Sequence, residues 1–96
     1  MRFEWDPAKD RANQAKHGIS FDAAQTLFTS GVDYLEIYDI EHSTDEDRFF
    51  AIGPIASGVI CVVFTERDDR IRLIGARPAT RREQQLFLQF IAEAES

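Results

Sequence analysis

The residues best suited to chemistry are arginines near the ends of apolar stretches (Arg48, Arg67, Arg70, Arg72, Arg77, Arg81 and Arg82), together with the adjacent cations Lys16 and His17. A guanidinium presents paired N–H donors to phosphate oxygens and stabilises the charge that develops as a phosphodiester breaks. RNA suits such a set. Its own 2′-hydroxyl is a nucleophile, so a protein need supply only a proton acceptor, a proton donor and positive charge, without a metal. Histidine serves in either proton role near neutral pH.

Other chemistries lack their residues. The sequence has no Gly-rich phosphate loop, no paired Cys/His metal spacing and no serine in a Gly-x-Ser-x-Gly elbow. No cofactor is expected. Cys61 is the single cysteine and lies in the apolar run Val59 to Phe64, where it reads as a core thiol. The net charge of −6 opposes polyanion binding, but its distribution is uneven. Seven acidic residues and no Lys or Arg occupy the stretch from Asp33 to Asp47, whereas seven arginines stand between Arg48 and Arg82. An acidic chain can still present a local basic face.

Each candidate also has a structural use. Lys16 and His17 fall in the last turn of a predicted helix, where cations complement the dipole. His42, in an acidic loop, reads as solvated. Glu83 reads first as a helix cap, and Trp5 and Phe21 as core. Arg70 and Arg72 share strand parity, while Arg77 falls on the opposite parity unless Gly75 or Pro78 introduces a bulge.

The elements that must position these residues follow from caps and periodicity. With 96 residues the chain has room for one domain and one core, which favours an open surface or groove over an enclosed site. Arg2 to Trp5 alternates as a short strand. Asp6-Pro7 starts a helix that runs to His17 and is closed by Gly18. Ser20 caps a second helix through Phe28. Tyr34 to Tyr38 reads as a strand, Glu41 to Asp47 as an acidic loop, and Arg48 to Ile55 and Val59 to Thr65 as a hairpin, its second arm central in the sheet. Pro54 favours an edge or bulge at the end of its strand. Asp68-Asp69 turns the chain into a further strand, Arg70 to Ala76, and Thr80-Arg81-Arg82-Glu83 is a capping box before an apolar stripe of Leu86, Phe87, Phe90, Ile91 and Ala94. The predicted class is α+β in the order β-α-α-β-β-β-β-α, a mainly antiparallel sheet with helices packed against it. No run is apolar and long enough to span a bilayer, the N-terminus lacks a signal-peptide core, and the cytoplasm is the expected compartment.

The ordered signals Phe3-x-Trp5-Asp6-Pro7-x-Lys9, Asn13-x-x-Lys16-His17-Gly18-Ile19-Ser20-Phe21-x-x-Ala24, Asp47-Arg48 and Ile71-Arg72-x-Ile74-x-Ala76-Arg77-x-Ala79-Thr80-x-x-Glu83 together resemble the BrnT toxin family of type II toxin–antitoxin systems. The resemblance spans residues 1–96 as one domain. It implies a RelE-like fold and a metal-independent endoribonuclease that slows growth by cutting RNA. It also implies a BrnA-like ribbon-helix-helix antitoxin in a 2:2 complex, with operator DNA bound only through that partner. Gly75 stands where the family commonly has serine, and Phe87 where it often has tyrosine. On this resemblance the expected site comprises Arg48, Arg72 and Arg77 for phosphate contact and charge stabilisation. Lys16 and His17 are expected in proton transfer or holding of the RNA backbone, and Glu83 as a base or as a group that orients an arginine. Two further readings stand beside it: a non-catalytic module that acts as co-repressor with a DNA-binding antitoxin, and a degenerate toxin that keeps the fold without the chemistry.

Overall fold

Local signals in the chain set the boundaries of its elements. In the computed structural model, which describes residues 1–95, the Asp6 carboxylate accepts from the Ala8 N–H and opens helix α1 (Pro7–His17). Gly18 closes that helix at φ 72°, a left-handed conformation that glycine adopts without penalty. Ser20 caps helix α2 (Phe21–Thr29) through the Ala23 N–H. Reciprocal bonds between Thr80 and Glu83 open helix α3 (Arg81–Glu95).

The strands are β1 (Arg2–Glu4), β2 (Leu35–Tyr38), β3 (Arg48–Ile55), β4 (Gly58–Arg67) and β5 (Arg70–Pro78), in the spatial order β1-β5-β4-β3-β2. The element order is the one predicted, with β4 in the centre of the sheet. Every pairing is antiparallel except that of β1 with β5. Pro54 lies beyond the last residue pair of β2 with β3, Leu35 with Ile52, so β3 is an edge there and the missing N–H costs no ladder bond. The acidic loop is more ordered than expected, since Ile40–His42 forms a turn of 3-10 helix.

Alternation along the strands divides the apolar residues between two faces. On one face Phe21, Ala24 and Leu27 of α2 pack with Val62, Phe64, Ile71, Leu73 and Ala76. Gly53 makes this closeness possible. A Cβ there would lie 2.7 Å from Leu27 Cδ1 and 2.9 Å from Tyr34 Cβ. On the other face Phe87 of α3, with Phe90 and Ile91, covers Ile52 and Cys61. The helix covers only part of this face, and the arginines emerge from the remainder.

β1 is only three residues long and leaves β5 unpaired past Arg72. Asn13 completes that edge. Its side-chain amide donates to the Ala76 carbonyl at 2.8 Å and accepts from the Ala76 N–H at 3.1 Å, as a neighbouring strand would. The same amide donates to the Ile19 carbonyl at 2.8 Å, so one side chain joins α1, the interhelical turn and the sheet.

Candidate functional site

The strand register decides which arginines share a surface. Cys61 pairs with Arg77 and Thr65 with Arg72, and between them the ladder shifts: Val63 pairs with Gly75 but Phe64 with Leu73. Ile74 is therefore the extra residue of a β-bulge. One inserted residue reverses parity, and Arg72 and Arg77 come to lie on the same face as Cys61 and Thr65. The bulge that their sequence spacing required is present, next to Gly75.

Arg48 joins this face, because it pairs with Thr65 from the other side. Arg48, Thr65, Arg72 and Glu4 thus form one row across β3, β4, β5 and β1. With strands ~4.8 Å apart, the backbones of Arg48 and Arg72 are ~10 Å apart. Arg77 stands four residues further along the β4 ladder, from Thr65 to Cys61, or roughly 13 Å.

The three arginines differ in what holds them. Arg77 forms a two-pronged pair with Glu83, Nη1 to Oε1 at 2.6 Å and Nη2 to Oε2 at 2.9 Å. The Thr80 N–H also donates to Glu83 Oε1, at 2.9 Å. The Arg77 hydrogen bonds hold the Glu83 carboxyl down at about pKa 2, and the reciprocal bond raises that of Arg77. A carboxylate so stabilised is a weak proton acceptor at neutral pH, which suits Glu83 to orienting Arg77. Cys61 lies beneath the pair, its thiol pushed up to about 12 chiefly by burial, and is inert. Arg72 donates to Glu4 at 3.2 Å, and Arg70 lies 3.7 Å from the same carboxylate. Arg48 is half-buried, and its guanidinium makes no ion pair or hydrogen bond among the described residues.

Lys16 and His17 occupy a different place. Asn13, one turn earlier, ties the end of α1 to Ala76, so these two cations leave the helix beside the edge of β5 that Asn13 covers and outside the row that holds Arg48. Neither side chain has a partner among the described residues.

Next to Arg48 the structure opens a cavity of about 230 Å3 lined by His42, Thr44, Asp45, Glu46, Arg48 and Arg67. Glu46 is paired with Arg67 at 2.9 Å. His42 is not simply solvated: its Nδ1 lies 2.9 Å from Oδ2 of the buried Asp39. The Asp39-x-x-His42 spacing, one turn apart, was the sequence signal for this pair, and the acidic surroundings hid it. Among the described residues no group of three or more His, Cys, Asp or Glu side chains is placed to hold a metal ion.

The sequence model of the family described as ribonuclease toxin, BrnT, of type II toxin–antitoxin system matches residues 5–83. The chain belongs to the BrnT toxin family. Membership makes it a type II toxin and implies an antitoxin partner. No curated protein matches the chain. The matched span includes Lys16, His17, Arg48, Arg72, Arg77 and Glu83 and ends on the last of them. No helix among the described residues is long and apolar enough to cross a membrane.

Proposed function

We propose that the protein is a metal-independent endoribonuclease of RelE-like type that cleaves RNA on the open part of the α3 face of its sheet. The observation that carries this reading is the cross-strand row that sets Arg48 and Arg72 on one surface, Arg48 unpaired beside a cavity. Two guanidinium groups ~10 Å apart at the backbone, on long side chains, can converge on one phosphate or hold two successive ones. The 2′-hydroxyl of the RNA attacks the adjacent phosphorus, and the arginines stabilise the charge that gathers on the phosphoryl oxygens. Lys16 and His17 hold the RNA backbone where it passes the edge of β5 covered by α1. Arg77, oriented by Glu83, lends positive charge between these two places.

A BrnA-like ribbon-helix-helix antitoxin neutralises the toxin in a 2:2 complex, and operator DNA is contacted only through that partner. The acidic stretch from Asp33 to Asp47 suits a basic partner segment.

The test is direct. Purified protein freed of antitoxin should cleave single-stranded RNA in the presence of EDTA, and the double substitution Arg48→Ala, Arg72→Ala should abolish cleavage and growth inhibition while the chain stays folded. RNA left intact by the parent protein would refute the nuclease. If that inactive protein still bound the antitoxin tightly, the non-catalytic co-repressor would replace it.

A further inference from the structure

Among the described residues Asp39 and Thr65 are the buried polar side chains, and of the two only Thr65 has a place inside a strand pairing. Asp39 lies just past the end of β2, and its burial needs a reason, since a carboxylate is costly to remove from water unless it is bonded. Its backbone is fixed to Arg48 by two routes. The Asp39 N–H donates to the Arg48 carbonyl at 2.8 Å, and the Ser43 hydroxyl donates to the Asp39 carbonyl while accepting from the Arg48 N–H at 2.9 Å. The carboxylate held by this frame meets His42 Nδ1 at 2.9 Å.

We propose that His42 accepts the proton of the RNA 2′-hydroxyl, with Asp39 as its positioning residue. This rests on the ribonuclease reading above and assigns its proton acceptor. Paired with a carboxylate, which can only accept, Nδ1 carries the proton of the neutral ring, and Nε2 presents its lone pair. The His42 side chain is 61% exposed and lines the cavity that also holds the unpaired Arg48. A proton acceptor, a cradle that fixes its tautomer and a free phosphate-binding cation therefore meet at one opening. His17 lacks this support: no carboxylate orients its ring among the described residues, and it stands at the β5 edge.

Nε2 takes the 2′-hydroxyl proton as the 2′-oxygen forms a bond to the adjacent phosphorus. The bond from phosphorus to the 5′-oxygen breaks, and that oxygen takes a proton from water. The products are a 2′,3′-cyclic phosphate and a 5′-hydroxyl, and the imidazolium returns its proton to solvent. Besides Asp39, which is bonded to Nδ1, the charged groups that line the cavity with His42 are Asp45 and Glu46 from the loop, Arg48 from β3 and Arg67 from β4. Glu46 is held by Arg67, so Arg48 remains available to phosphate.

The experiment compares the parent chain with His42→Ala, His42→Gln and Asp39→Asn on a single-stranded RNA oligonucleotide, with product ends identified and melting temperatures recorded. His42→Gln keeps a donor on the residue that faces Asp39 and should melt close to the parent, whereas His42→Ala leaves the buried carboxylate without this partner and should melt lower while still folding; both should lose cleavage by on the order of 10²-fold or more. Added imidazole should restore part of the activity of His42→Ala. Asp39→Asn should lose less and should also change the shape of the pH–rate profile, which a purely structural role for Asp39 would leave alone. Folded His42 variants that cleave as fast as an active parent, or a His42→Ala loss that imidazole does not relieve, would overturn the assignment and leave the nuclease standing. An inactive parent would remove the nuclease and this assignment together.

Discussion

Arg77 and Arg48 lie on the same face of the same sheet, yet the chain treats them in opposite ways. Arg77 is a third exposed, gripped at both terminal nitrogens by Glu83, and seated over the buried Cys61 at the start of α3. The guanidinium of Arg48 is gripped by no described residue, and its own backbone is what neighbouring groups are anchored to. One guanidinium has used its bonding capacity to fasten a helix to a strand. The other has kept it. Arginines on one face therefore mix two tasks, and the pairing of each side chain, rather than its type, separates them.

The sharpest way to break this contrast is to remove each arginine singly. Arg48→Ala should reduce RNA cleavage by roughly 10²-fold to 10³-fold, the loss usual for one donor to a developing oxyanion, with the melting temperature nearly unchanged. Arg77→Ala should act mainly on stability, at about 2 kcal/mol, because it leaves a half-buried carboxylate with fewer partners. Thermal melting and initial cleavage rates on both variants decide the matter. Equal losses of activity at equal stability would erase the distinction.

The locked pair also has a pH signature. Glu83 titrates near 2 in the folded chain against an ordinary 4.5, so the unfolded chain binds its proton more readily. The stability it contributes is complete above about pH 4.5 and is lost as pH falls through about 2. Because the pair is partly exposed, solvent screening holds the gain to about 1–2 kcal/mol. Glu83→Gln should therefore melt lower than the parent at neutral pH, and the gap should narrow from pH 4.5 downward.

Much of this architecture is legible in the sequence because the signals are local. Asp6-Pro7, Gly18, Ser20 and the Thr80 to Glu83 box each act within a few residues, and the structure uses all four. What lay beyond reach is long-range. Gly75 hinted at a bulge, but only the register with β4 identifies Ile74 as the extra residue and sends Arg77 to the side of Arg72. The pairing of Asp39 with His42 is a single helical turn in sequence. The burial that makes it significant comes from bonds to Arg48 across the loop. The docking of β1 beside β5, parallel and far apart along the chain, has no local signal at all.

Asn13 holds α1 and its terminal cations against the edge of β5 at Ala76, the residue before the locked Arg77. Asn13→Ala strips partners from the Ala76 N–H and carbonyl and from the Ile19 carbonyl. The expected cost is about 1–3 kcal/mol, with amide exchange quickened at Ala76 in a hydrogen-exchange measurement. Asn13→Asp keeps the acceptor for the Ala76 N–H and loses both donors, so it should fall no nearer the parent than the alanine variant. A stability unchanged in both would show that the edge of β5 needs no cover.

The mildest change tests whether the two regions act together on one substrate. Gly75 sits beside the bulged Ile74, in the stretch of β5 that separates Arg72 from Arg77. A Cβ at this position would meet nothing nearer than Asn13 Oδ1 at 4.0 Å, and its φ lies outside the left-handed region. Gly75→Ser should accordingly fold with stability within about 0.5 kcal/mol of the parent. If catalysis is concentrated at Arg48 and its cavity, the new hydroxyl lies too far along the strand to matter, and cleavage should change by no more than roughly twofold. A rise well beyond that would mean that substrate passes over Gly75 on its way between the two ends of the face. The locked Arg77 would then touch the RNA itself, beyond lending it positive charge.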